Sequence, residues 1–348
     1  MKFIIKIILF CVFINETQAQ TTEKENPLVI SGYADTYWKY DFSGKENIGT
    51  YFANDQNSIS LGMLALGLKK TTGRATFMGE LSFGPRGQYL SIPTGDNRDK
   101  TNSFHIQNLY MTYDFTDKFS MTAGYMGTFV GYEVISPASN FHYSTSYLFG
   151  AGPFQNAGVK ATYSFSPKVS IMAGLFNDWN VYQDLNGLSH FGAQLALQPT
   201  DNLQAYINVL TGSSSEGKEN YSSGTLVDFV ASYSITDKTR LAVNAADYKH
   251  KGGGGYSGVA VYPQYTISPH FDLGLRAEYF KPKEEEGAVD TEEQHFTSFT
   301  LSGKIKHGGL SVIPEVRLDH APQKPFLTHA SVATAQASQF SLALVYAF

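Results

Sequence analysis

The chain has 348 residues, with 26 Lys and Arg against 31 Asp and Glu and a formal charge of −5. No basic patch argues for nucleic acid, and nine scattered His without metal-ligand spacing call for no metal or other cofactor. Past the first residues no stretch approaches the roughly 18 apolar residues of a membrane helix, which excludes a helical membrane protein but not one that crosses with strands, whose apolar face lies at every second position.

Residues 1–19 read as a secretory signal peptide: Lys2 and Lys6, an apolar run from Ile7 to Phe13, and a small-residue site ending at Ala19. Cleavage there removes Lys2, Lys6 and Glu16, taking the formal charge from −5 to −6. The only cysteine, Cys11, leaves with the leader, and Phe10 before it argues against a lipoprotein signal. Residues 20–27 form a short extension, too short for a separate plug domain.

From residue 28 a two-residue beat begins and recurs to Phe348. In the first segment Ile30, Gly32, Ala34, Thr36, Trp38, Tyr40 and Phe42 alternate with Ser31, Tyr33, Asp35, Tyr37, Lys39 and Asp41. Successive strand side chains point to opposite faces, so one face meets an apolar solvent and the other water. In four later segments the odd positions are lipid-facing: 75–83, 157–165, 191–197 and 271–279. Their alternates include Arg74, Glu80, Lys160, Asp272, Arg276 and Glu278, and a Lys or Arg at the lipid midplane costs about 2–4 kcal/mol. Residues 58–70 are apolar on both phases, and their facing stays open. Pro263 and Pro314 fall inside predicted strands, where bulges are expected.

Five connections are variants of one tight turn: FTDKF at 115–119, FSPKV at 165–169, PTDNL at 199–203, ITDKT at 235–239 and ISPHF at 267–271. Thr71 to Gly73 and Lys306 to Gly309 complete a set of seven. Eight longer polar connections lie between them, near 43–56, 84–103, 129–155, 177–188, 212–223, 249–255, 281–293 and 320–337. Seven turns and eight loops join sixteen strands. The pattern predicts an all-β, antiparallel up-and-down transmembrane barrel over 28–348, with short periplasmic turns and long outer loops. Closure leaves no strand edge unpaired in lipid. Aromatic residues beside the short turns (Tyr113, Phe115, Phe119, Tyr163, Phe165, Tyr233, Tyr265, Phe271, Tyr346) and near the loops (Trp38, Tyr40, Phe42, Phe83, Trp179, Tyr279) are expected to form two girdles.

Sixteen strands enclose a lumen too wide for side chains to fill. The predicted wall acids are Asp35, Asp41, Glu80, Asp114, Asp178, Asp228, Asp272, Glu278, Glu315 and Asp319. The bases are Lys39, Arg74, Lys160, Arg240, Arg276, Lys304 and Arg317. Ten against seven gives a slight cation preference, unless the charges pair across neighbouring strands. The Gly252 to Gly255 run has no following Lys-Ser and is a flexible loop, not a phosphate loop. The acidic run at 284–286 is a solvated loop face, with divalent ions near lipopolysaccharide the alternative.

The final strand, with Phe340, Leu342, Leu344, Tyr346 and Phe348 on one face, resembles the signal that barrel assembly machinery reads in bacterial outer-membrane proteins. Residues 83–88 (FGPRGQ) and the third loop, with Gly131-Tyr-Glu, Pro137, Asn140 and Tyr143 to Ser146, join it in resembling the OmpL-like β-barrel porins of Bacteroidetes and some proteobacteria. The resemblance spans roughly 28–348. It implies passive diffusion of small hydrophilic solutes and ions across the bacterial outer membrane, amid lipid and lipopolysaccharide. By analogy with general porins the third loop, about 27 residues and the longest, folds into the lumen, which makes Glu133 and His142 constriction candidates; the alternative is that both stay in an external loop as ordinary solvated groups. The alternatives are a gated or substrate-specific transporter, a sealed structural or adhesive barrel, and an outer-membrane phospholipase. The last rests only on His142, Ser144 and Asn156, a nucleophile-base-orienter set.

Overall fold

The computed structural model describes residues 26–88, 104–183, 187–213, 223–284 and 294–348. The leader, Cys11 and most of the acidic run lie outside these. The strands are β1 (Val29–Asp41), β2 (Ile59–Thr72), β3 (Ala75–Phe83), β4 (Phe104–Asp114), β5 (Phe119–Gly127), β6 (Gln155–Ser166), β7 (Val169–Phe176) and β8 (His190–Thr200). They continue with β9 (Leu203–Gly212), β10 (Gly224–Ser234), β11 (Thr239–His250), β12 (Gly255–Ser268), β13 (Phe271–Pro282), β14 (Phe296–His307) and β15 (Leu310–His320). A two-residue ribbon, β16 (Phe326–Leu327) with β17 (Ala333–Thr334), decorates the last loop before β18 (Gln336–Ala347). Two short helices, α1 (Pro85–Gln88) and α2 (Tyr147–Ala151), sit in the second and third loops.

Each strand pairs antiparallel with its neighbour, and β18 closes on β1, giving a sixteen-stranded barrel. The turns work as their composition implies. Thr116 Oγ1 accepts from the backbone N–H of Lys118 and Phe119 at 3.2 and 3.0 Å, and Thr236 repeats this with Lys238 and Thr239. At the other end, Gly252 to Gly255 all have φ between 83° and 108°, a conformation that only glycine adopts freely, so the run has a geometric purpose.

Outward positions carry the apolar belt, with Leu301, Phe299, Leu342 and Phe77 between 40% and 48% exposed. Aromatic pairs gather beside the turns, such as Tyr113–Phe115 at 4.9 Å and Tyr163–Phe165 at 5.0 Å between ring centroids. The ambiguous segment 58–70 resolves through a β-bulge. Thr36 pairs with Leu61 but Ala34 with Leu64, so Gly62 and Met63 together oppose Asp35. The extra residue flips the phase, which turns Ile59 and Leu61 outward before the bulge and Leu64, Leu66 and Leu68 outward after it. A β-carbon at Gly62 would lie 1.8 Å from an Asp35 oxygen, so any larger residue there would displace the Asp35 carboxylate. A second bulge flips β4 at Gln107.

The prolines behave differently from expectation. Leu241 pairs with Pro263, and Pro314 with Leu342, and the register runs unbroken through both. No bulge forms, but each proline interrupts the ladder on one side, as its missing donor requires: no pairs are made between Val261–Ala277 and Gln264–Gly274, or between Ser302–Glu315 and Ile305–Val312, while the register is kept.

Buried apolar side chains lie inside the barrel, where the third loop and part of the first pack on the wall. One cluster joins Val130 and Leu148 of the third loop to Leu210, Leu226, Ala260 and Tyr262, and it takes in Trp179, which is buried against Tyr248 at 5.1 Å between ring centroids instead of joining the outer girdle. Another joins Phe52 of the first loop and Ile135 and Phe154 of the third to Tyr33 and Met63.

Candidate functional site: the lumen and its inward loop

The third loop, residues 128–154, runs inside the barrel. Its first residues pack on β7 to β9, where the Phe129 ring lies 5.6 Å from the Phe176 ring and the Phe129 carbonyl accepts from Gln194 at 3.2 Å, and the rest is held against β1 and β10 to β15. The wall reaches for it mainly with charge. Arg276 of β13, fully buried, donates to Glu133 Oε1 at 2.7 Å, to the carbonyl of Ser144 at 2.6 Å and to Thr300 Oγ1 at 3.0 Å. Arg317 of β15 donates to the carbonyl of Thr145 at 2.7 Å while paired with Asp319 at 2.8 Å. The carboxylates take loop N–H groups. Glu278 accepts from Tyr147 and Leu148 at 3.0 and 2.8 Å, Glu315 from Tyr143 and Ser144 at 2.9 and 3.1 Å, and Asp228 from Gly131 at 3.0 Å. Asp228 is itself fixed by Asn208 on β9 and Asn244 on β11.

Charge-assisted bonds of this kind are about twice as strong as neutral ones. The ions sit buried with most of their lone pairs and protons used, Arg276 Nε being left without a partner, close to the condition under which a buried pair offsets its desolvation. Two tyrosines add to them, Tyr143 donating to Asp35 at 2.6 Å and Tyr147 to Asp319 at 2.5 Å. Asp35 also accepts from the N–H of the bulge residue Met63 at 2.8 Å. Arg86 of α1 brings the second loop into the same cluster. Its guanidinium lies 4.6 Å over the Phe52 ring and 4.9 Å over Tyr143, with Asp35 at 3.5 Å.

The candidates named from the sequence thus divide into two groups. Asp35, Lys39, Asp228, Arg276, Glu278, Glu315 and Arg317 are buried under the loops. Lys304 is partly buried and donates to the carbonyl of Asn140 at 3.0 Å. Glu133 and His142 are 6% and 2% exposed and face the wall. His142 Nδ1 pairs with Ser302 at 2.7 Å, and burial, followed by the nearby Arg276, pushes its pKa well below the usual range, so it is neutral. Arg74 and Arg240 stand at the short-turn end, bonded to Asp117 and Ser232, and Asp272 pairs there with Lys306 at 2.8 Å. Glu80 accepts from Asn108 at 2.6 Å. Lys160 has no hydrogen-bonding or ionic partner among the described residues.

Tyr346 and Phe348 face outward, 51% and 62% exposed, and Phe348 exchanges two backbone bonds with Gly32 of β1 at 3.0 and 3.1 Å. His142, Ser144 and Asn156 do not assemble as a catalytic set. Among the described residues no hydrogen bond joins any two of them, and the Ser144 hydroxyl is engaged by Arg276 at 3.3 Å. Sequence reasoning missed Arg86, Tyr143, Tyr147, Asn208 and Asn244. The loop's own N–H and carbonyl groups, which do most of the binding, carry no sequence signal.

A closed sixteen-stranded barrel with an inward third loop invites comparison with known channels. The family model for beta-barrel porin-2, OmpL-like proteins matches residues 27–348. The chain belongs to this porin family. It is a porin channel of the bacterial outer membrane, and the expected family and sixteen-strand fold both hold. No curated protein matches it in sequence.

Solved structures share its fold at low identity. OmpF of Salmonella typhi, in complex with daunomycin, superposes with a TM-score of 0.64 at 11% identity over 92% of this chain and 97% of that one. The outer-membrane channel DcaP of Acinetobacter baumannii gives 0.61 at 12% over 92% and 97%. An anion-selective porin from Comamonas acidovorans gives 0.60 at 11% over 92% and 99%.

Proposed function

We propose that the protein passes small hydrophilic solutes and ions by passive diffusion along the arc of lumen that the third loop leaves free, from β3 round to β6. The observation that carries this is one-sided fastening. The buried charged anchors lie on β1, β10, β13 and β15, whereas the inward residues of β4 to β8 are mostly uncharged: Tyr110, Thr112, Thr122, Thr162 and Gln194. A loop held by so many buried ionic bonds is a fixed constriction, which disfavours a gated transporter.

In this reading Glu133 and His142 hold the loop in place, and its backbone and outward side chains, such as the exposed Val134 and Ser139, border the passage. The arrangement is that of a channel that works by shape and wall polarity, without catalysis. Export by a leader cleaved after Ala19, assembly through the β18 signal ending in Tyr346 and Phe348, and contact of the outer loops with lipopolysaccharide complete the proposal.

Liposomes carrying the purified protein should swell in isotonic solutions of small neutral sugars, at rates that fall steeply with sugar size. Swelling that ignores solute size would contradict a narrowed passage, and no swelling by folded protein would contradict diffusion.

A further inference from the structure

The wall acids exceed the bases by ten to seven in sequence, but burial does not remove them evenly. Asp35, Asp41, Asp228, Glu278, Glu315 and Asp319 are sealed beneath the loops, against only Lys39, Arg276 and Arg317 among the bases. The cation excess disappears, leaving four acids and four bases. Of those acids, Asp272 is paired with Lys306 at 2.8 Å and Asp178 is held by Ser189 at 3.0 Å.

Two further observations tip the balance. In the short-turn segments 69–75, 114–119, 166–169, 200–203, 234–240, 268–272 and 304–310, Lys and Arg outnumber Asp by nine to five. A cavity of about 640 Å³ opens there, bordered by Lys118 and Lys168 against the single acid Asp117, with Ser164, Gln194 and Gln204. Above it on the inward face of β6, four residues from Ser164, stands Lys160. In register it ends a row of hydroxyls, Thr71, Thr76, Thr112 and Thr122, which bond to one another at 2.9 and 2.8 Å and offer it no counter-charge. Glu80, the acid on the same arc, lies further towards the outer side and is bonded to Asn108.

We propose that the channel prefers small anions, with Lys160 as the specificity-determining residue on the free arc and the basic short-turn mouth as its electrostatic approach. This rests on the diffusion reading above. A charge in a narrow, low-dielectric passage biases the ions that share it, and a cleft of one sign concentrates counter-ions.

The test is the reversal potential of the full mature protein in a planar bilayer under a KCl gradient, with folding checked by heat-modifiable gel mobility. Wild type is expected to pass Cl⁻ in preference to K⁺. The Cl⁻/K⁺ permeability ratio should fall at least about two-fold in Lys160→Gln and invert in Lys160→Glu. If Lys160→Glu does not fold, the wild-type sign and Lys160→Gln decide. A conducting wild type that prefers K⁺, or a ratio unchanged in Lys160→Gln, overturns this proposal and leaves the diffusion reading standing. Folded protein without conductance overturns both.

Discussion

Arg276→Met is expected to release the third loop from the wall and to give larger, noisier single-channel currents from a barrel that still folds. The side chain is fully buried and supplies donors to Glu133, Ser144, Thr145 and Thr300. Removing one partner of a buried ion pair costs about 3–5 kcal/mol, because the remaining charge is left without compensation. Here that charge is Glu133, together with carbonyl groups that have lost their donor. The strand ladder does not depend on Arg276, so the cheapest relief is for the loop to lift and hydrate Glu133. Each 1.4 kcal/mol shifts such an equilibrium about tenfold, enough to make lifted states common. Planar-bilayer recording beside heat-modifiable gel mobility checks this. Wild-type conductance in a folded Arg276→Met barrel would show that the pair does not set the passage.

The second large effect is expected on the outside. Leu301 lies mid-strand in β14, paired with Leu275 and Val316 and 48% exposed on the apolar belt. Leu301→Arg should cost about 2–4 kcal/mol in a membrane and lower the yield of folded protein in lipid. The matching change one residue away, Thr300→Val, removes an acceptor for Arg276 instead and should affect current more than insertion. The fraction of folded protein in vesicles titrated with urea reads both. Equal folding of Leu301→Arg and wild type would mean that the outward face has been misassigned.

The barrel was legible because its signal is periodic and repeated. Alternation in 75–83, 157–165, 191–197 and 271–279 matched the observed facing, and the seven turns fell where Asp, Pro and Gly predicted them. Periodicity failed at 58–70, since one inserted residue, the bulge at Gly62 and Met63, puts apolar side chains on both phases while each half keeps its rule. The prolines misled in the opposite sense. A proline lacks one donor, but the register through Pro263 and Pro314 survives that loss unchanged.

The lumen was legible by residue but not by role. Sequence alternation tells which charges point inward, yet not which will be covered. Glu278 and Glu315 receive N–H groups from a loop 130 or more residues distant in sequence. Such partners are backbone atoms set by tertiary packing, and no residue pattern encodes them. The same limit explains why a count of wall charges gives a cation excess that the folded barrel does not present to solution.

The most direct test of a fixed, water-filled passage narrowed by the third loop is single-channel recording of the mature wild-type protein in a planar bilayer. The account predicts steady, uniform conductance steps without spontaneous closure. Silence from protein shown to be folded would contradict it and identify a sealed barrel.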